Sequence, residues 1–320
     1  MNFAKPLIST IYTADPSAHV FEGRIYLYPS HDIDHAGAIV DDSGDQYAMR
    51  DYHVFSMDRV GAEVRDHGIA LRLEDIPWAS RQLWAPDAAE HDGRYFFYFP
   101  ARDHEGIFRI GVATSDHPEG PFTAEPQPIK GSFSIDPCSF VDSDGSAYLY
   151  WGGLWGGQLE NWTSGVFDPE ETEPAGSQPA LGPRVARLSG DMLELAEKPR
   201  EIAILDPDGQ ALRADDHERR FFEGAWLHYD QGLYYLSYST GDTHFLVYAT
   251  ADNPYGPFTY RGRLLEPVAG WTTHHSIVQH EGRWWLFHHD ASLSGKDHLR
   301  CVKVKPIDVQ ADGSLQVAQT

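Results

Sequence analysis

The sequence predicts an all-β protein, a five-bladed β-propeller, from its composition and from an internal repeat. The 320 residues include 29 Gly, 21 Pro, 9 Trp, 16 Tyr and 16 Phe. Glycine and proline end short segments, and the aromatic residues favour strands. The repeat is a hairpin that recurs five times, with a further β-rich run after most copies. Each unit therefore holds about four strands, the content of one propeller blade.

The repeated hairpin consists of an acidic residue and a glycine followed by an apolar, aromatic run. Its copies are residues 22–28 (EGRIYLY), 92–98 (DGRYFFY), 144–150 (DGSAYLY), 230–236 (DQGLYYL) and 281–287 (EGRWWLF). The fourth copy has one extra residue before its glycine. An acidic residue and a glycine between apolar runs resemble Asp-Gly, one of the strongest short-range signals of a β-hairpin.

The spacing of the repeat predicts how the blades differ. β-rich runs follow at 52–56, 108–112, 245–249 and 299–303, and two units close with similar phrases, TSDHPEGPF at 114–122 and TADNPYGPF at 250–258. Successive hairpin glycines are 70, 52, 87 and 50 residues apart, which predicts insertions in blades one and three. Similar sheets that cannot bury both faces alone pack radially, so a β-sandwich ranks well behind a propeller. No linker divides the chain, and we expect one domain over 1–320, with 168–183 as a surface insertion.

Charge and cysteine content exclude several classes of partner. The formal net charge is −23, which disfavours nucleic acids and anionic membranes as partners but not a neutral substrate. Cys138 and Cys301 make no disulfide framework. We see neither a signal peptide nor a stretch long enough to span a bilayer, and we expect a cytoplasmic protein. The sequence leaves open a homo-oligomer in which a neighbouring subunit supplies a wall of the pocket.

The first strand of a propeller blade lines the central channel, and its start carries an ionisable group in every blade. The five starts read TADPS at 13–17, WAPD at 84–87, SIDPC at 134–138, FEGAW at 222–226 and THHS at 273–276. Asp15 and His274 precede their hairpin glycines by eight residues, and Asp136 and Glu223 precede theirs by nine. Asp-Pro alone is ordinary turn chemistry. Five copies in one phase instead predict carboxylates converging at one channel mouth, where repulsion separates their pKa values for acid–base work.

At these residues the sequence resembles glycoside hydrolase family 43. The matching motifs, Ala14-Asp15-Pro16, WAPD at 84–87, Ser134-Ile135-Asp136-Pro137, Phe222-Glu223-Gly224 and His274-His275-Ser276, occur in order over nearly the whole chain. The resemblance implies a five-bladed propeller that removes xylose or arabinose units with inversion.

The resemblance also implies a role for each of three carboxylates. Asp15 is similar to the family's general base, Glu223 to its general acid, and Asp136 to the carboxylate that holds the acid and raises its pKa. An inverting pair stands about 6.5–9.5 Å apart, with room for a water molecule between the two carboxyls. Two blades facing each other across a channel can supply that gap.

Other residues are candidates for substrate contact. Trp84 stands where the family has a residue beside the sugar pocket, and a core position is the equal alternative. Arg300 bridges a carboxylate and a sugar hydroxyl on one hypothesis and forms a surface salt bridge on the other. His31 and Asp32 follow the first hairpin, where substrate contact is plausible. Trp155 belongs to a loop with three Trp among four Gly, at 151–162, which indicates an aromatic rim or, almost equally, an inter-blade packing loop.

The 17 histidines raise the question of a metal. The sequence has no His-Glu-x-x-His and no Cys-x-x-Cys, so a zinc enzyme has little support. His274 shares the phase of the carboxylates, and the resemblance implies that it holds a calcium ion in the channel with waters completing the shell. Calcium prefers oxygen ligands, so the imidazole would be a minor part of that site. The alternative is a neutral His274 that hydrogen-bonds the substrate or Asp136.

The blade-start carboxylates and the resemblance together lead to the hypothesis of an exo-glycoside hydrolase that releases xylose from the ends of β-1,4-xylo-oligosaccharides, with the sugar and the inverting mechanism implied by the resemblance. Exo action is expected because insertions in blades one and three would wall the channel into a pocket. The first alternative is an α-L-arabinofuranosidase acting on arabinose-substituted oligosaccharides, or a bifunctional enzyme. The alternative from another class is a non-catalytic sugar-binding propeller, which would not need three carboxylates at the blade starts.

Overall fold

The chain forms a five-bladed β-propeller in the computed structural model, which describes residues 3–35 and 39–318. Each blade is one mainly antiparallel sheet, and the blades follow one another in chain order. The prediction of fold class is confirmed. The described residues contain no helix long and apolar enough to cross a bilayer.

Blades one to three occupy the first two thirds of the chain. Blade one contains β1 (Tyr12–Phe21), β2 (Arg24–Asp32), β3 (Asp51–Met57) and β4 (Arg65–Arg72). Blade two contains β5 (Ala79–Arg81), β6 (Asp87–His91), β7 (Arg94–Asp103), β8 (Phe108–Ser115) and β9 (Thr123–Ala124), with β5 and β6 both paired to β7. Blade three contains β10 (Cys138–Val141), β11 (Ala147–Trp151), β12 (Arg184–Arg187) and β13 (Arg200–Glu201).

Blades four and five complete the ring. Blade four contains β14 (Ile204–Leu205), β15 (Glu223–Asp230), β16 (Leu233–Ser239), β17 (Leu246–Ala251) and β18 (Phe258–Leu265), with β14 parallel to β18 at the outer edge. Blade five contains β19 (His275–His280), β20 (Arg283–Asp290), β21 (Cys301–Val309) and β22 (Leu315–Val317). Single turns of 3-10 helix occur at Leu73–Asp75, Trp155–Gly157, Glu160–Trp162 and Gly241–Thr243.

The repeated hairpin joins the two innermost strands of each blade. In four blades its two turn residues both have positive φ, for example Glu22 at 52° and Gly23 at 76°, the backbone of a type I′ turn. Blade three differs, because β10 and β11 are joined by the longer loop 142–146, where Gly145 donates to the carbonyl of Asp142. The predicted strand pair is nevertheless formed there.

The innermost strands β1, β6, β10, β15 and β19 contact one another in a closed ring around the axis. Buried apolar side chains fill the spaces between neighbouring blades. One cluster joins blades one and two, another joins blades one and five, and a large one spans blades two to five. The long connections at 33–50 and 152–183 are the insertions predicted for blades one and three, and both contribute residues to one mouth of the channel.

Candidate active site

The starts of three inner strands have irregular backbone. The ladder of β1 shifts register between Ala14 and Ser17, and that of β15 shifts between Glu223 and Trp226. Asp15 has a φ of 48°, and Asp136, two residues before β10, has a φ of 57°. Left-handed backbone at non-glycine residues costs energy and is concentrated at functional sites, and bulges re-aim side chains. These irregularities accompany three acidic side chains that line one cavity.

That cavity occupies the channel mouth and has an empty volume of about 950 Å³, including its open end. Asp15, Asp136 and Glu223 lie among its lining residues. Loop residues complete the wall, and they come from four connections. The insertion of blade one supplies seven residues between 40 and 49, and that of blade three supplies 154–157. The connection into blade five supplies Trp271 and Thr272, and the loop between β20 and β21 supplies Asp297.

Asp15 is held as an anion. Its Oδ1 accepts a hydrogen bond from Arg300 Nη1 at 3.0 Å, and its Oδ2 accepts one from Ser30 Oγ at 2.5 Å. Its backbone N–H donates to His289 Nδ1 at 2.9 Å. Burial acts to raise the pKa of Asp15, but the charge of Arg300 and the Ser30 hydrogen bond prevail and lower it from 3.8 to about 2.

The surroundings of Glu223 and Asp136 instead favour the protonated form of their carboxyls. Burial and the charge of Asp15 raise the pKa of Glu223 from 4.5 to about 8, against the opposing charge of Arg300. Burial and the charges of Glu223 and Asp15 raise the pKa of Asp136 well above its usual range. The two carboxyls titrate as a pair, so at least one proton stays on them at neutral pH. Asp136 Oδ2 accepts the N–H of Gly224 at 2.9 Å, which joins it to the backbone beside Glu223.

Arg300 lies directly before the first residue of β21, and its side chain reaches the cavity. Its Nε and Nη2 donate to both oxygens of Asp32 at 2.8 and 2.7 Å, while its Nη1 donates to Asp15 and to Thr272 Oγ1. The guanidinium lies 4.8 Å from the ring centre of Tyr47. Arg300 thus bridges two carboxylates at the cavity wall.

The other predicted contact residues divide into two groups. Trp84 and Trp155 line the cavity, although both also pack against protein. Trp84 donates from Nε1 to the carbonyl of Tyr47, and Trp155 donates from Nε1 to Glu173. His31 and Asp32 do not belong to the lining. The expectation of direct contact is corrected for both: Asp32 is buried against Arg300, and His31 Nδ1 lies 2.6 Å from Asp51 on the blade surface.

Asp87, at the start of blade two, also departs from the expected convergence. It stands six residues before Gly93, two or three fewer than its counterparts, and therefore about 7–10 Å further along its strand. Its carboxylate accepts hydrogen bonds from Ser17 Oγ and from the N–H and Oγ of Ser139. Asp87 therefore joins the inner strands of blades one, two and three below the cavity.

His274 lines the cavity and is buried. Neither ring nitrogen has a hydrogen-bond partner among the described residues, and Nε2 is 3.8 Å from Asp136 Oδ2. Burial lowers the pKa of His274, so a nitrogen lone pair is free for a ligand. These features fit a cation in the channel. In the described ranges no other His, Cys, Asp or Glu pair completes a three-residue cage with it, so such an ion would depend on water ligands.

Comparison with known proteins agrees with this geometry. The family model for glycosyl hydrolases family 43 matches residues 3–315. The chain belongs to that family. It is 65% identical to xylosidase/arabinosidase 43A of Humicola insolens, over 97% of this chain and 98% of that protein. It is 55% identical to a xylosidase/arabinosidase of Bacteroides ovatus, over 97% of this chain and 95% of that protein.

A solved structure of family 43 superposes closely on the chain. It is a β-xylosidase/α-arabinofuranosidase from a compost microbial metagenome, in complex with xylotriose and in a calcium-free form. The TM-score is 0.96 and the identity 60%, over 98% of this chain and 96% of that one. As a member of family 43, the chain is a glycoside hydrolase.

Sequence reasoning missed several residues of this family 43 pocket. Tyr47 and Trp271 line it, and Trp271 packs against Phe222 and Trp155 as an aromatic wall. His289 contacts Asp15 from β20. The sequence does contain a signal for Trp271, because this residue stands three positions before His274 at the start of blade five. Tyr47 and His289 lie outside the repeated phase, so nothing in the repeat indicates them.

Proposed function

We propose that this enzyme is an inverting, exo-acting β-xylosidase that also hydrolyses α-L-arabinofuranosides, with short xylo-oligosaccharides as substrates. The observation that carries the proposal is the opposite shift of two carboxyl pKa values in one cavity, to about 2 for Asp15 and about 8 for Glu223. A base that is ionised and an acid that is protonated at neutral pH are what single-displacement glycoside hydrolysis requires.

In the proposed reaction Asp15 accepts a proton from a water molecule, whose oxygen forms a bond to the anomeric carbon. Glu223 gives its proton to the glycosidic oxygen as the bond between that oxygen and the anomeric carbon breaks. The products are a sugar of inverted configuration and a shortened oligosaccharide. The Asp15 proton then returns to Glu223 through solvent. Arg300 keeps Asp15 anionic before each turnover, because its charge opposes the effect of burial.

Asp136 is proposed to position Glu223. Its carboxylate binds the N–H of Gly224, the residue after Glu223, and its repulsion with Glu223 helps to keep a proton on the pair. Asp136 therefore acts on the acid and not on the substrate directly.

The shape of the cavity supports exo action and a short substrate. The insertions of blades one and three close two sides of the channel mouth, and Trp155, Phe222 and Trp271 form an aromatic wall. Aromatic rings suit the apolar faces of sugars. The names of the relatives, which join xylosidase and arabinosidase activities, support the two-sugar specificity.

We further propose that His274 contributes one ligand to a calcium ion in the channel, with water supplying oxygen ligands. The unpartnered ring nitrogens of His274 support this. The ion would add positive charge below the carboxylates and help to keep the proposed base, Asp15, ionised. The calcium-free form named for the metagenomic relative supports calcium as the ion to test.

The experiment is hydrolysis of 4-nitrophenyl β-D-xylopyranoside, 4-nitrophenyl α-L-arabinofuranoside and xylobiose, with calcium and with a chelator. Proton NMR of the first xylose released from 4-nitrophenyl β-D-xylopyranoside should show the α anomer, the mark of inversion. Asp15→Asn and Glu223→Gln should each reduce kcat about 10²–10⁴-fold. The Glu223→Gln loss should be larger for xylobiose than for the nitrophenyl xyloside, because nitrophenolate leaves with little need of an acid.

Glu63→Gln, at an exposed position, is the control and should keep full activity. Full turnover by Glu223→Gln would overturn the assignment of the acid. No hydrolysis of any of these substrates, with binding of xylo-oligosaccharides retained, would favour a sugar-binding propeller instead. Equal rates with calcium and with chelator would remove the metal from the proposal and leave the carboxylates in place.

A further inference from the structure

A cluster of metal-ligating side chains lies on blade one, outside the active site. His31 comes from the end of β2, and Asp51 and His53 come from the start of β3, across the long insertion. One ligand atom from each lies within 4.8 Å of the others. Their side chains are 15–19% exposed, so the cluster is reached from solvent. None of the three lines the catalytic cavity.

The hydrogen bonds in this cluster leave Nε2 of His53 near the Asp51 carboxylate without a hydrogen bond between the two. His31 Nδ1 lies 2.6 Å from Asp51 Oδ1. His53 Nδ1 lies 3.1 Å from Asp66 Oδ1, on β4, so its proton is placed on that nitrogen. His53 Nε2 then carries a lone pair and faces Asp51 Oδ1 at 4.0 Å, too far for a hydrogen bond. Two acceptors that face each other across such a gap favour a cation between them.

We propose that His31 Nδ1, His53 Nε2 and the Asp51 carboxylate bind one zinc ion, with water in the fourth position. Two imidazoles and a carboxylate are a common ligand set for zinc. Asp66 accepts the hydrogen bond from the other ring nitrogen of His53, as carboxylates commonly do for zinc-bound histidines. Binding displaces the proton shared between His31 and Asp51 into solvent.

The guanidinium of Arg72, on the neighbouring strand, does not compete with a metal ion for the Asp51 carboxylate. Arg72 pairs with Asp51 along the β3–β4 ladder, but in the described part of the chain it forms no ion pair with the Asp51 carboxylate. The site is independent of the proposed function, because its ligands and those of the channel are different residues.

The test is titration of the tag-free full chain with Zn²⁺ by calorimetry in saturating calcium, with Co²⁺ absorption as the spectroscopic probe. We expect one zinc ion per chain and visible Co²⁺ bands of a low-coordinate N/O site. His31→Ala and His53→Ala should abolish both signals. Asp66→Asn should weaken zinc binding about 10–100-fold while the spectrum keeps its shape.

Two control variants separate this site from other histidines. His274→Ala removes the channel ligand and should leave the zinc signal unchanged. His91→Ala removes a half-buried histidine that lies 3.7 Å from Asp92 and belongs to no three-residue cluster of possible metal ligands among the described residues, and it should also leave the signal unchanged. A melting temperature measured without zinc shows that each variant folds. Zinc binding that survives in folded His53→Ala, or that is lost in His274→Ala, would overturn the proposal.

Discussion

Asp15 and Glu223 are carboxyls buried in the same cavity, yet their surroundings separate their pKa values. Asp15 has a guanidinium and a hydroxyl as direct partners, whereas Glu223 has the charge of Asp15 as its main electrostatic neighbour. The partner charge decides the state of each group, because burial acts in the same direction on both. A single buried arginine, held by Asp32, therefore determines which of the two carboxyls stays ionised at neutral pH.

The pH dependence of kcat/KM follows from these values. Asp15, with a pKa of about 2, stays ionised throughout the pH range of the assay. Glu223 loses its proton near pH 8. We expect activity to be flat from about pH 4 to about pH 7 and to fall with a single ionisation near 8. Assays of the nitrophenyl xyloside at saturating calcium measure this; a fall centred near pH 5 would contradict it.

Glu223 should also reduce the stability of the fold at neutral pH. Its folded pKa of about 8 exceeds the ordinary 4.5, so between these values the native state binds more protons than the unfolded state, and stability falls as pH rises. Glu223→Gln removes that effect. We expect the variant to be more stable than the wild type at pH 7 by roughly 1–3 kcal/mol, with the difference vanishing near pH 4.

Urea unfolding at pH 4, 7 and 8.5 measures this difference, and Glu63→Gln serves as the exposed control. A variant less stable than the wild type at pH 8.5 would show that the buried amide costs more than the carboxyl.

At the scale of single elements, the irregular start of β15 lets the backbone beside Glu223 bond to Asp136. Gly224 has a φ of 67° and gives its N–H to Asp136. A Cβ on Gly224 would lie 3.1 Å from His274 Cδ2. The glycine is therefore required both by its backbone conformation and by the close approach of the histidine, and it joins three of the site's side chains.

Gly224→Ala should reduce both stability and kcat. The left-handed backbone costs about 1–2 kcal/mol for alanine, and the new methyl group pushes His274 from its place. Gly232→Ala, in the turn at the other end of the same hairpin, is the matched control: its φ is 88° and nothing lies within 4 Å of its Cβ position. Both variants should lose stability by thermal unfolding, Gly224→Ala at least as much as Gly232→Ala, and only Gly224→Ala should lose kcat. Equal kcat values would contradict this role.

At the scale of the whole molecule, the ring closes by apolar packing between its first and last blades. Ile25, Leu27 and Phe55 of blade one pack with Phe287 and Val304 of blade five. Backbone hydrogen bonds add to this closure, because Leu7 and Thr13 donate to carbonyls at Val302 and Arg300. The active site depends on the closure, since Arg300 and Asp15 come from the two ends of the chain.

Phe287→Ala should therefore destabilise the entire propeller. The side chain is fully buried, and its removal is expected to cost about 3–5 kcal/mol. We expect one cooperative thermal transition at a lower temperature, with activity lost in the same transition. Val166→Ala, at a residue 70% exposed, is the control and should change stability by less than about 0.5 kcal/mol. Two separated transitions would show that the blades at the junction unfold independently.

The sequence by itself determined the fold class and the acidic residues at the blade starts. Hairpin turns and strand patterns are local, so their repetition predicts five blades, and a common phase predicts which residues share the channel. The insertions also appeared as excess spacing. The family relationship was visible in the same motifs, because the residues that distinguish family 43 are those at the blade starts.

The tertiary structure alone decided which polar groups face the cavity and which pair with other groups inside the protein. Asp32 pairs with Arg300 across 268 positions of sequence, and Asp87 joins three inner strands instead of entering the pocket. Trp151 is fully buried, whereas Trp155, four residues on, lines the cavity. The reason is physical. A bulge re-aims a side chain, and a shift of two residues along a strand keeps its face but changes its depth in the channel. Distant partners that bind a charge leave no mark in the local pattern.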